Sequence, residues 1–86
     1  MDTQPATNRV AIVGRDELNW READNGYTLH LGRSQKALLK VVPDAVYPGM
    51  WRVLQAGCLF DMVNLTRAKD AGMVRALAVL NHHQET

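Results

Sequence analysis

The first sustained alternation of apolar and polar residues runs from Leu18 to Leu31, broken at Asn25-Gly26. Leu18, Trp20 and Glu22 share one parity against Asn19, Arg21 and Ala23, and beyond the break Tyr27, Leu29 and Leu31 alternate with Thr28 and His30. A period of two sends successive side chains to opposite faces of a sheet, so this segment predicts a β-hairpin with one apolar face. Asn-Gly tolerates the two positive φ angles of a type I′ turn, whose twist matches that of paired strands. A competing reading makes Glu17 to Ala23 a short helix capped by Asp16. Leu18 and Trp20, two apart, would diverge on a helix, which favours the strand.

Upstream, Val10-Ala11-Ile12-Val13 before Gly14 is a short apolar run consistent with a strand. Residues 1–8 are polar, contain Pro5 and show no period, and are expected to form a disordered leader. Downstream, Lys36 to Val42 is rich in Leu and Val and predicts a strand that stops at Pro43, which has no N–H to give a ladder. Pro48-Gly49 predicts a type II turn with glycine at the positive φ position. Met50 to Leu54 then makes a strand with Trp51 and Val53 on one face and Arg52 and Leu54 on the other. Ala56-Gly57 turns into a last strand, Cys58 to Val63.

From Thr66 to Asn81 the period changes. Ala68, Ala71, Ala76, Leu77, Ala78 and Leu80, with no proline, are helix composition, and Asn64 or Thr66 can cap the first turn. On a 3.6-residue wheel Ala68, Gly72, Met73, Ala76, Leu77, Val79 and Leu80 gather on one side, and Arg67, Asp70, Arg75 and Asn81 on the other. Ala68, Gly72 and Ala76 form a flat seam that lets a helix lie close against a sheet. Such a contact explains a glycine that costs about 1 kcal/mol relative to alanine inside a helix. The expected fold class is α+β: an antiparallel β-meander of three to five strands with one C-terminal amphipathic helix packed on one face. It forms a single domain over 9–83, with a tail at 84–86.

Composition narrows the class. At 86 residues there is room for one core, and a chain this small leaves so much surface exposed that self-association is a ready way to bury more. Ten Lys and Arg against nine Asp and Glu give a net charge of +1, which excludes a polycationic tail and an acidic disordered chain. The charge is unevenly spread, with four basic and one acidic side chain over residues 25–60 and three basic and five acidic over residues 1–24. The single cysteine, Cys58, excludes an internal disulfide, and no Cys/His cluster has zinc-ligand spacing, so no metal or cofactor is expected. No run approaches the ~18 apolar residues of a membrane span. The N-terminus lacks the basic and apolar profile of a secretory signal, so a cytoplasmic protein without membrane contact is expected.

Candidate chemistry is sparse. Arg21 and His30 on the first hairpin and Lys40 and Arg52 on the second share the polar parity of the sheet, and Arg21, Lys40 and Arg52 are the candidate nucleic-acid contacts. His82 and His83 point about 100° apart on a helix and cannot share one metal ion. Cys58 has no histidine at a motif-like spacing, and Asp61 and Asp70, near Arg67 and Lys69, read as surface pairing or capping groups. No catalytic residue is assigned, and a non-enzymatic domain is expected. Trp20, Tyr27 and Trp51 fall on the apolar parity of their strands. Tyr47, between two prolines, is the aromatic expected at the surface, as a partner contact that loses little entropy on binding.

The segment Pro43-Asp44 … Tyr47-Pro48-Gly49-Met50-Trp51-Arg52-Val53 … Gly57 … Asp61-Met62-Val63-Asn64-Leu65-Thr66-Arg67-Ala68-Lys69-Asp70-Ala71 resembles a family of small uncharacterised bacterial proteins with no assigned activity. The resemblance spans Leu38 to Leu80 and implies no catalytic or binding residues. The Trp51 strand, the Ala56-Gly57 hairpin, the third strand and the helix opened by Thr66-Arg67-Ala68-Lys69 are also similar to the three-strand-plus-helix unit of plant AP2-type and phage-integrase DNA-binding domains. That resemblance implies DNA read by the exposed sheet face. The functional expectation is a protein-interaction or homo-oligomerisation module, with a nucleic-acid-binding accessory protein as the alternative.

Overall fold

A computed structural model describes residues 12–82. The expected leader, the tail, and Val10 and Ala11 of the expected first strand lie outside them. Ile12 to Gly14 belong to no strand. A single 3-10 turn, Arg15–Glu17, follows, closed by the Glu17 N–H on the Gly14 carbonyl at 3.1 Å. The chain then extends, which settles the competing readings of Glu17 to Ala23 in favour of the strand.

Among the described residues five strands form one antiparallel sheet in sequence order: β1 (Leu18–Ala23), β2 (Gly26–Leu31), β3 (Leu39–Pro43), β4 (Trp51–Gln55) and β5 (Cys58–Val63). One helix, α1 (Leu65–His82), follows and packs across β3, β4 and β5. The fold is the expected α+β meander.

Local chemistry departs from expectation at three points. The β1–β2 loop is Asp24-Asn25, with Ala23 opposite Gly26, and neither loop residue takes a positive φ. Gly26 alone does, at +130°, because a Cβ there would run into the Val41 carbonyl of β3. Strand β3 begins at Leu39, three residues later than its composition suggested, and Pro43 is its last rung, opposite Trp51. A bulge in β5 sets Val53 opposite Phe60 but Trp51 opposite Val63, with Asp61 at φ +52°. The type I′ turn occurs instead at Ala56-Gly57, with φ +52° and +80°.

The register lines Tyr27, Val41, Val53 and Phe60 along one rung of the covered face, and Trp20, Leu29 and Leu39 along the next. Leu29, Val41 and Val53 are fully buried there, each contributing roughly 1.5–3 kcal/mol relative to exposure. Trp20, Tyr27 and Trp51 pack half-buried against this core, on the parity read from the sequence.

The Asn64 side chain caps α1 by accepting from the Arg67 N–H at 2.9 Å. The expected seam is present: Ala68, Gly72 and Ala76 are the buried positions of the helix. Two assignments on the wheel are corrected. Val79 is 54% exposed. Arg75, placed on the outer side, turns inward and lays its guanidinium over the Phe60 ring at 3.7 Å, with a carboxylate oxygen of Asp61 at 3.3 Å. Lys69 does the same on the other flank, 3.9 Å from the centre of the Tyr27 ring. The seam is thus bordered by two cation–π contacts, because long basic stems can cover apolar surface while their charges reach water.

Candidate functional site

With α1 on one side of the sheet, the opposite side is the face that the other described residues leave uncovered. One unbroken rung crosses it through all five strands: Arg21, Thr28, Lys40, Leu54 and Leu59. The next rung on the same face brings Val42 opposite Arg52. The bulge at Asp61 brings Met62 to this side as well, its sulfur 3.8 Å from Nη2 of Arg52. Arg21, Lys40 and Arg52 therefore share one face, as their parity implied, but their environments differ.

Arg52 is neutralised in place. Its Nε donates to Asp44 Oδ1 at 2.6 Å, while Asp44 Oδ2 accepts from the backbone N–H groups of Val46 and Tyr47 at 3.0 and 2.9 Å. The Arg52 hydrogen bond, with help from those two N–H groups, lowers the Asp44 pKa from 3.8 to about 2. The one acid of the basic middle segment is thus spent on a cation of the sheet face.

Arg21 is also engaged. Its Nη2 donates to the Ser34 carbonyl at 3.2 Å and its Nη1 to the Gln35 side chain at 3.4 Å. His30, only 5% exposed, meets the same carbonyl through Nδ1 at 3.0 Å, and its Nε2 lies 2.8 Å from the Thr28 hydroxyl. A carbonyl can only accept, so Nδ1 carries a proton, and with the ring neutral Thr28 donates to Nε2. Together Arg21 and His30 hold the β2–β3 connection against the end of the sheet. Alternation places His30 on the polar parity of the sheet, but nothing in its sequence neighbourhood reveals the carbonyl it finds four residues on.

Lys40 is exposed and makes no ion pair among the described residues. It lines a concavity of about 400 Å³ with Asp24, Asn25, Thr28, Val42 and Leu54, beside Ala23 and Tyr27. Apart from Lys40, the β3–β5 half of the face is apolar, with Arg52 neutralised by Asp44: Val42 and Leu54 are half-buried, and Leu59 and Met62 are 54% and 38% exposed around that pair. The loop carrying that pair's backbone donors also exposes Val46 and Tyr47, at 72% and 56%. Tyr47 is thus at the surface, where its Pro-bounded position put it.

Among the described residues no group of three or more His, Cys, Asp and Glu side chains is placed to hold a metal ion. Cys58 is exposed at the start of the edge strand β5. Among the described residues no helix is long and apolar enough to cross a membrane. Comparison with protein-family models, with curated proteins and with solved structures finds no match.

Proposed function

We propose that this domain is a non-enzymatic protein-interaction module that associates with its own copies through the apolar half of the open sheet face. The observation that carries this reading is the neutral patch of Val42, Leu54, Leu59 and Met62 surrounding the Arg52–Asp44 pair. A two-fold contact sets a surface against itself, so a net charge there would repel; ion pairing of Arg52 removes that obstacle at the centre of the patch and leaves Lys40 at its edge. Tyr47 and Val46 extend the contact from the β3–β4 loop. Five strands at ~4.8 Å spacing and about five residues at ~3.4 Å give a whole face of roughly 400 Å² in plan, of which the apolar part is about half. That is small beside the ~800 Å² per partner of a stable pair, so the association is weak. An exposed Cys58 without a disulfide partner in the chain fits a reducing, cytoplasmic setting. Sedimentation velocity over a concentration series should show a rising average mass, abolished in Leu59→Asp and weakened in Tyr47→Ala. A monomer at the highest concentration reached overturns the reading.

A nucleic-acid role draws on the common face of Arg21, Lys40 and Arg52. Phosphates must then compete with Ser34, Gln35 and Asp44 for two of the three cations. Titration of a short duplex and a single strand at low salt decides it. Binding tighter than about millimolar that weakens steeply with salt and is lost in Arg52→Glu supports the role.

A further inference from the structure

The concavity beside the β1–β2 hairpin contains one acid and one base, Asp24 and Lys40, and they are not paired with each other or with any other described residue. Between them the wall supplies the Asn25 side chain, the Thr28 hydroxyl and the apolar surface of Val42 and Leu54. Thr28 stands directly opposite Lys40 in the ladder, so the two residues are neighbours on one side of the sheet. Asp24 comes from the hairpin loop at the rim. Its volume, about 400 Å³, is within the range of small-molecule sites.

A lone anion would meet Lys40 but also the Asp24 carboxylate, and a lone cation the reverse. A molecule carrying both charges a few ångströms apart satisfies both. We propose that this concavity binds a free α-amino acid with an apolar side chain. Its carboxylate lies against Lys40, its ammonium group against Asp24 and the Asn25 carbonyl oxygen, and its side chain against Val42 and Leu54. The Thr28 proton is used on His30 while the ring is neutral, so Lys40 is the principal donor and Thr28 a polar neighbour. Both charges are solvent-exposed, and exposed pairs are individually weak, so the affinity is low, with Kd near the millimolar range.

The test is an NMR titration of the backbone amides of the full chain with leucine, N-acetylleucine and 3-methylbutylamine, each up to about 20 mM, well above the millimolar Kd expected. Leucine should shift the amides of Ala23 to Thr28 and of Lys40 saturably. N-acetylleucine, which lacks the ammonium group, and the amine, which lacks the carboxylate, should each bind about fivefold more weakly, the worth of one exposed ion pair. Asp24→Asn should erase the preference over N-acetylleucine, and Lys40→Met the preference over the amine. Asp24 and Lys40 are both at the surface, and the same spectra report whether each variant keeps its fold. Equal shifts from all three probes, or no saturable shift from leucine, overturn the proposal. Leu59→Asp, which removes the contact between copies that also uses Val42 and Leu54, should bind leucine at least as well as the parent does. Loss of binding in that variant would place the ligand between copies and overturn the single-chain site, whatever the sedimentation result.

Discussion

The side-chain amide of Asn81 reads both polar groups of the Val13 backbone, accepting from its N–H at 2.8 Å and donating to its C=O at 3.0 Å. This is the pattern of a strand neighbour, made by one side chain at the end of α1. It ties the segment before β1 to the last turn of the helix, 68 residues away in sequence. Asn81→Ala should release that segment, with faster hydrogen exchange at the Val13 amide. Loss of two bonds at a net ~0.5–1.5 kcal/mol each should lower stability by about 1–2 kcal/mol. Unchanged protection of Val13 would show that the clasp contributes nothing to order there.

Gly72 tests how closely helix and sheet approach. A Cβ at this position would lie 3.1 Å from the Trp20 ring and 3.2 Å from a Leu39 methyl, tighter than ordinary van der Waals contact. Gly72→Ala combines a propensity gain of about 1 kcal/mol with this crowding, and should stay within about 1 kcal/mol of the parent. Gly72→Leu cannot be accommodated and should lose about 2–3 kcal/mol, read by denaturation followed through tryptophan fluorescence. A leucine variant as stable as the parent would mean that the seam is not closely packed.

These two residues also show what the sequence made legible. The Ala68, Gly72, Ala76 spacing announced a close helix–sheet contact, because a 3.6-residue period is enough to place them on one line. Leu18, Trp20, Tyr27 and Leu29 announced a hairpin for the corresponding reason at period two. Asn81 was assigned to the outer side of the wheel, since no local pattern encodes a partner 68 residues away. The Arg52–Asp44 pair and the Arg75–Asp61 pair escaped likewise. Each depends on where a loop or bulge sets the register, which alternation within a strand does not fix. The candidate cations were therefore found on the right face, but their availability was not readable.

Ala56 carries avoidable strain. It sits at φ +52° in the type I′ turn joining β4 to β5, followed by Gly57 at +80°. A Cβ in the left-handed region costs roughly 1 kcal/mol or more, whereas asparagine and glycine accept it readily. Ala56→Asn should therefore stabilise the domain by about 0.5–1 kcal/mol. For a domain of this size that raises Tm by roughly 2–8 °C. Ala56→Val, branched at Cβ, should shift it in the opposite direction. If Ala56→Asn lowers Tm, the turn does not have this conformation in solution.

Asp44 should make the fold sensitive to acid in a defined window. Its carboxyl is held at about 2, chiefly by the Arg52 hydrogen bond and then by the Tyr47 and Val46 N–H groups, against 3.8 for a free side chain. A folded-state pKa below the unfolded one means that the unfolded chain binds its proton first as pH falls. The stabilisation from Asp44 is therefore complete above about pH 4 and drains away as pH drops toward 2. Asp44→Asn keeps the shape but has nothing to protonate, so it should be less stable than the parent at pH 7. The gap between the two melting temperatures should narrow steadily from pH 4 to pH 2. A constant gap across that range would show that the Asp44 charge is not coupled to folding. Because the same ion pair neutralises Arg52 within the apolar patch, self-association should weaken in Asp44→Asn at pH 7, where Arg52 is left uncompensated.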